Sequence, residues 1–553
     1  MGARRDATAF AGRAAMTPSG APPQLVWFKR DLRVHDHAPL AQAAGHGPVL
    51  ALYVYEPSVL RAPQSDACHL GYVNDCLAAL RAALARRGCP LLVLEGECPE
   101  VLEGLRRVHG FRTLWSHEET GLEVTWARDR RVAAWCRAQG VAWHELPQNG
   151  VVRRLRQRDG WARRWEARMA APQVPAPPRI AAPAGLGTPD EVAARHPLRD
   201  AASLGVAGGP RPAAERGGEP RAQALLDSFL HERGLDYRRA MASPLDGAQA
   251  CSRLSAALAW GAISLRTVFQ AAEQRRAELR EAVAEGRPVD PRWPAALQSF
   301  GARLRWHCHF MQKLEDEPRI EFEPFSRACE GLRDAAPDAA RLQAWCAGHT
   351  GYPMVDACMR ALHAGAWINF RMRAMLVSFA AYHLWLDWRH FAAWLARQFI
   401  DFEPGIHYSQ VQMQSGTTGI NTVRIYSPAR QALDQDPDGV FIRRWVPELA
   451  AVPLAHLAEP HTMPAALQRH CGVHIGRDYP APIVDHASAY RAAHERFAAL
   501  RRTALARAEA ERVQQRHGSR RSGLPPTPRP RRRRSGAPDP GTQGSLWPEE
   551  NPS

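Results

Sequence analysis

The sequence predicts two unlike halves: an α/β unit built on a Rossmann-like, doubly wound parallel sheet, followed by an all-α unit. Three observations carry this. Up to about residue 146, short apolar runs alternate with amphipathic stretches at strand–helix spacing. From 221 onward apolar positions recur with helical periodicity, and strand candidates are few. Between the two lies a stretch, 172–220, rich in Pro, Ala and Gly, the composition of a long connector rather than a core element.

In chain order, residues 1–22 hold Arg, Ala and Gly with almost no acid and no apolar core, which predicts a disordered extension. A transit peptide is the competing reading of a segment without clear amphipathic periodicity. LVWF (25–28), VLALYVY (49–55), PLLVLEG (90–96), TLWSH (113–117) and VAWHEL (141–146) read as buried strands, and 70–87, 99–109 and 121–138 as the helices between them. No GxGxxG follows the first strand, so a dinucleotide fingerprint is absent. The expected boundaries are an α/β domain at 23–150, a connector at 151–220, a helical domain at 221–510 and a disordered Arg-rich tail at 511–553. MLVSFAAYHLWL (375–386) ends at Asp387 and reads as a buried helix; no apolar run reaches the roughly 18 residues that a membrane helix needs.

At 553 residues the chain is too long for one core. Its formal charge is 72 − 56 = +16, of which the tail supplies +5 and the first 23 residues +2, leaving +9 on residues 24–510. A basic body suits a polyanionic partner such as nucleic acid, although the Arg- and Ala-rich usage of a GC-rich genome gives the same count. The eleven cysteines form no CxxC and are irregularly spaced, which points to a reducing, cytoplasmic setting. His307, Cys308 and His309 are adjacent and therefore diverge on a helix or strand; packing is their expected role, and no metal site is expected.

The residues with chemical promise lie in the helical half. Arg373 in WINFRMRAM (367–375) faces Asp401 and Glu403 in FIDFEPG (399–405) across a Trp-rich region. Such a base and carboxylates can pin the polar edge of a buried planar cofactor and tune its redox state; a structural ion pair is the plainer reading. CSRLSAALAWG (251–261) follows Tyr237–Pro244 and offers the Ser252 and Ser255 hydroxyls beside a helix start, either as an anion grip or as an ordinary N-cap. Tyr382, Trp385, Trp388, Phe391 and Trp394 recur at three-residue steps, which predicts a stripe along one helical face, serving as core or as an electron path.

VWFKRDLRVHDHAPL (26–40), GYPMVDACMRAL (351–362) and FIRRWVPEL (441–449) resemble, in order, three blocks of the photolyase and cryptochrome family. The resemblance implies FAD in the helical domain, held by Tyr237, Ser252, Leu254, Ser255, His307, Arg373, Asp401, Glu403 and His407. It implies Trp306, in RLRWHCHF (303–310), as an aromatic wall for a flipped-out pyrimidine pair, and Arg371 as a contact to substrate or phosphate. Arg303, Phe370 and Met413 complete the substrate positions, and Trp388 is the relay tryptophan in register; Trp306, Arg371 and Trp388 are the expected catalytic residues.

The chain departs from the family pattern at several of these places. Cys251 replaces Thr, His407 replaces Asn, Arg303 a carboxylate or amide, Phe370 an Asn or His, Met413 an aromatic residue, and Val411 and Ala335 two relay tryptophans. An Arg cannot accept a hydrogen bond from a thymine N–H. Phe370 and Ala374 stand where a (6-4) lesion would require His, which favours cyclobutane dimers. SHEETGLEVTWARDRR (116–131) resembles the antenna side of the family, with Thr125 near the position of a folate-binding acid, so the identity of an antenna chromophore is open. The function implied is a blue-light-driven, FAD-dependent photolyase that splits cyclobutane pyrimidine dimers by electron transfer, a cytoplasmic monomer acting on damaged DNA. The alternative is a cryptochrome-like photoreceptor acting through a signalling partner.

Overall fold

The computed structural model describes residues 21–519. Strands β1 (Gln24–Phe28), β2 (Val49–Tyr55), β3 (Leu91–Glu95), β4 (Thr113–His117) and β5 (Ala142–Leu146) form one parallel sheet in the order β3-β2-β1-β4-β5. Strand order reverses beside β1, which makes the sheet doubly wound. Four longer helices accompany it: α1 (Ala38–His46), α2 (Ala67–Ala85), α3 (Cys98–His109) and α4 (Glu123–Gln139). α1, absent from the expected elements, starts where the His37 ring accepts from the Leu40 N–H. α2 begins three residues earlier than its apolar pattern because Asp66 caps the Cys68 N–H at 3.0 Å.

The connector does more than span. α5 (Trp161–Ala170) buries Trp161 and Trp165 completely, and Ile180, Leu186, Val192 and Val206 are buried too. α6 (Pro189–Arg195), closed by a Thr188–Glu191 capping box, packs beside β3. Residues 151–220 are thus pinned at apolar points between their prolines, which corrects the expectation of a segment outside the core.

The second half is helical, and among the described residues no strand follows β5. Its main elements are α7 (Glu219–His231), α8 (Ser255–Ala259), α9 (Leu265–Ala284), α10 (Arg292–Asp316), α11 (Pro353–Gly365), α12 (Phe370–Ser378), α13 (Trp388–Gln398), α14 (Pro404–Gln414), α15 (His486–Arg502) and α16 (Ala504–His517). α10 and α14 approach closely at Gly405, where a Cβ would lie 2.6 Å from the Met311 Cα. α16 runs through the expected tail boundary at 511 and buries Val513 and His517. Residues 1–20 and 520–553, on which the two disorder expectations mostly fall, lie outside the described residues.

The expected aromatic stripe is not one face of one helix. α12 passes into a wide turn at Phe379–His383, Trp385 takes a left-handed φ of 55°, and α13 restarts at Trp388 under an Asp387 cap. Tyr382 and Trp385 therefore meet Phe497, with ring centroids 5.5 and 6.1 Å away, whereas Phe391 and Trp394 meet Trp345 at 5.4 and 5.6 Å.

One sheet face, with Val26, Phe28 and Ala51, shares a continuous core with Phe229, Leu254, Ala257, Leu297 and Phe300 of the helical half. The other face, with Leu25, Trp27 and Leu52, packs under α3 and α4. A third core surrounds Met359, Met375, Phe391 and Tyr408. Among the described residues no helix is long and apolar enough to cross a membrane.

Candidate functional site

Arg373 and Asp401 meet in a bidentate pair, Nη1–Oδ1 2.9 Å and Nη2–Oδ2 2.8 Å. Each is set by its own segment. Arg373 rises from the first turn of α12, donates Nε to the Ile368 carbonyl at 2.8 Å and stacks 4.1 Å over Phe399. Asp401 lies in the turn between α13 and α14, its side chain 2 % exposed. Although burial opposes ionisation, the Arg373 charge and hydrogen bonds, a Ser255 hydroxyl and the Arg253 charge hold its carboxyl below the usual range. This is a fork-to-fork pair, fixed in direction as well as charge.

Ser255 therefore serves the carboxylate, and the Ser252 hydroxyl accepts weakly from the Leu254 N–H at 3.4 Å. The helix expected near here is α8, only five residues long, and the Ser255 hydroxyl at its start braces Asp401. Leu254 is buried in the core beneath it. Arg303 is hydrogen-bonded to Tyr237 and touches the Met241 sulfur at 3.4 Å, so its guanidinium faces the Tyr237 side. Tyr237 sits edge-on to Phe229 at 5.5 Å, and burial pushes its phenol up to about 12.

Glu403 is two residues from Asp401 but turns away from Arg373. Its Oε2 lies 3.9 Å from Arg30 of the α/β half, and its Oε1 is buried with no partner. Burial pushes this carboxyl up to about 7, against the Arg30 charge. His407 donates Nε2–H to the Ala392 carbonyl at 2.9 Å, which leaves Nδ1 as an acceptor. Desolvation holds both His407 and His307 down to about 4, so both rings are neutral at neutral pH.

Of the expected substrate positions, Trp306 is half-buried against His309 and Phe310, at 5.1 and 5.6 Å. Arg371 is half-buried and makes no hydrogen bond among the described residues, Phe370 opens α12, and Met413 is buried near the end of α14. Trp388 is 1 % exposed and stands 6.1 Å from Tyr408.

Sequence reasoning missed three contributors. Arg253 holds a left-handed φ of 63° and stacks 3.9 Å over Trp367 while its charge acts on Asp401; nothing in the local sequence announces that backbone. Asn369 donates to the Met241 and Ala242 carbonyls at 3.1 and 2.8 Å, leaving its Oδ1 buried without a partner. Arg30 binds the Ala259 and Phe402 carbonyls across the domain boundary, and the charged loop after the first strand was its only signal.

Between the halves lies a cavity of about 100 Å³, walled by Trp27, Arg30, Glu56, Glu119, Arg128 and Trp260. The Lys29 ammonium and one Glu56 oxygen nearby are buried without hydrogen-bond partners. Asp31, His37 and His117 converge in a buried cluster at 3.0 and 2.7 Å. There His37 Nδ1 accepts from Leu40, so its Nε2–H donates to Asp31 and carries no lone pair for a metal.

A parallel α/β unit is thus fused to a helical unit that holds a buried guanidinium–carboxylate fork and two unpartnered buried acceptors. Comparison with known proteins shows the family. The family model described as "DNA photolyase" matches residues 24–174, and "FAD binding domain of DNA photolyase" matches 300–499. The "Deoxyribodipyrimidine photo-lyase" of Halobacterium salinarum is 32 % identical over 84 % of this chain and 96 % of its own. The "Cryptochrome DASH" of Natronomonas pharaonis is 30 % identical over 84 % and 99 %. A bacterial class III photolyase from Agrobacterium tumefaciens shares the fold, with a TM-score of 0.73 at 24 % identity, over 89 % of this chain and all of that one. The chain belongs to the photolyase and cryptochrome family.

Proposed function

We propose that this chain is a blue-light-driven photolyase that uses FAD to split cyclobutane pyrimidine dimers in DNA. The observation that carries the reading is the Arg373–Asp401 fork, flanked by unpartnered buried acceptors on Asn369 and Glu403. Buried acceptors of this kind are costly unless a ligand completes them, and FAD offers the matching N–H and O–H donors. Bound and reduced FAD would supply the photochemical electron that opens the dimer ring.

The protein's part is posture and electrostatics. Arg373, Asp401 and Ser255 would fix one polar edge of the bound group, and His407 Nδ1 can take a hydrogen bond but, as a neutral ring, offers no proton there. Trp306 gives a face on which an extruded base stacks, and Arg371 retains donors for a phosphate or a pyrimidine carbonyl. Arg303, committed to Tyr237, belongs with the cofactor contacts rather than with lesion recognition. No step in the splitting of a cyclobutane calls for a general acid or base from these residues. The interdomain cavity, at about 100 Å³, is smaller than the ~300 Å³ of ordinary ligand sites.

The relative named as a cryptochrome favours a second reading, a photoreceptor without repair activity. Illuminating the flavin-loaded protein, with the flavin oxidised and an external electron donor present, together with a dimer-containing oligonucleotide separates the two. Recovery of intact thymines supports repair, and flavin photoreduction without recovery supports signalling. A colourless protein that cannot be reconstituted with FAD removes both.

A further inference from the structure

A second cavity, of about 480 Å³, shares no lining residue with the flavin-facing cluster. It is formed where three elements meet: Arg156 and Arg158 ahead of α5, Asp316 and Glu317 at the end of α10, and Arg512 and Arg516 on α16. Its inner acids are already neutralised. Asp316 accepts from Arg158 Nε at 2.9 Å and from Gln312 at 2.8 Å, while Glu317 accepts from Arg512, Arg319 and His517. Asp159 at the rim is exposed.

The donors are not used up. Arg158 is 3 % exposed; its Nη1 donates to His309 Nδ1 at 3.2 Å, and its Nη2 is buried with no partner. Arg156 is exposed and unpartnered among the described residues, and Arg516 spends one nitrogen on the Asp316 carbonyl. One turn back on α10, the buried Lys313 ammonium lies against the Phe310 and Phe325 rings, at 4.9 and 5.8 Å, and burial together with the Arg158 charge pushes it down to about 7. Capping of the α10 carbonyls by arginines is the plainer explanation of this cluster. It accounts for Arg516, and the Glu317, Glu509 and Phe325 contacts account for Arg512, but neither accounts for the free nitrogen of Arg158, nor for Arg156.

We propose that this cavity binds a small phosphate oxyanion, held by Arg158 Nη2 with Arg156 and Arg516 closing over it, and that the anion clamps α16 to the body of the protein. A tetrahedral oxyanion matches several guanidinium donors at once, and charge-assisted bonds of this kind are the strong ones.

The test is isothermal titration of the full-length, flavin-loaded protein with inorganic phosphate and, separately, with adenosine monophosphate, at constant ionic strength set by chloride. Hydrogen exchange of residues 504–517 is followed in parallel. The expected result is saturable phosphate binding that weakens about tenfold or more in Arg156→Gln/Arg516→Gln, with flavin absorption unchanged. Exchange in α16 should slow with phosphate in the parent protein and not in the variant. Adenosine monophosphate binding more tightly, with the same sensitivity to the substitutions, identifies a nucleotide as the source of the phosphate. Arg158→Gln probes the buried contact; should it fail to fold, the exposed pair keeps the test decisive. Equal phosphate affinity in parent and double variant, or no protection of α16, overturns the proposal.

Discussion

Asp401 and Glu403 are two residues apart, equally buried, and electrostatically opposite, because one meets a guanidinium at 2.8 Å and the other at 3.9 Å. Asp401→Asn leaves Arg373 without its counter-charge and should cost about 3 kcal/mol in denaturant unfolding, with loss of bound flavin seen in the absorption spectrum. The pH dependences run in contrary senses. The Asp401 carboxyl is depressed, so its contribution is present above the unfolded value of about 4 and is lost as pH falls through the lower folded value. Glu403 is raised to about 7, so it binds its proton more tightly in the folded state, and stability declines as pH climbs from about 4 to about 7. Glu403→Gln should therefore gain on the parent by about 3 kcal/mol at about pH 8 and show little difference at about pH 4. Urea midpoints at the two pH values, at matched flavin occupancy, check this; a constant difference would refute it. At Trp306 the stake is binding rather than stability. Stacking of a base on an aromatic face is worth ~1–3 kcal/mol, so Trp306→Ala should weaken a dimer-containing oligonucleotide about tenfold with flavin content unchanged. The Arg–Asp fork was legible in the sequence from its motif. The Arg30 neighbour of Glu403 was not, since it comes from the opposite end of the chain and no local pattern encodes that meeting.

Elements were readable where periodicity was long and uninterrupted. β2 and β4 fall on their apolar runs, and α3 and α4 lie within two residues of their amphipathic stretches. The failure at 382–394 has a definite cause: three-residue steps were read as one helix although Asp387 carries a stop-and-restart signal. Its carboxylate caps the Arg389 N–H at 3.0 Å, and Trp385 accepts a left-handed backbone two residues earlier. Asp387→Ala should cost about 1 kcal/mol by loss of the cap, read as a lower unfolding midpoint, and should loosen Trp388 enough to alter its fluorescence. If the aromatic row were a single continuous helix, removing a residue in its middle with high helix propensity as the replacement would stabilise it instead. The connector misled for a related reason. Pro and Ala density marks absence of regular structure, but burial of Ile180 at 3 % and Val192 at 0 % depends on what lies across from them, which composition does not report.

At the scale of the molecule, the sequence divides more cleanly than the structure does. The change from strand–helix alternation to helical periodicity suggests two separable domains, yet the core that starts at Val26 and Phe28 runs without a break through Leu254, Leu297 and Phe300. The contact is also fitted at the backbone. Gly261, with φ 67°, brings its chain so near the loop after β1 that a Cβ would fall 2.1 Å from the Arg30 carbonyl oxygen, and Arg30 and Arg33 return hydrogen bonds to the Ala259 and Gly261 carbonyls at 2.9 and 3.0 Å. A boundary with a shared apolar core and a backbone fitted this closely is not one that opens. The two halves should therefore unfold in one transition, with tryptophan fluorescence and helical circular dichroism giving coincident urea midpoints. A fragment of residues 21–220 would lose the part of the Val26 and Phe28 core that Phe229, Leu254, Leu297 and Phe300 supply, and should be aggregated or unfolded when expressed alone. Separate midpoints, or a soluble fragment with cooperative unfolding of its own, would show that the sheet closes its core without the helices, and the flavin-facing cluster would then have to be stable without the Arg30 brace on Phe402.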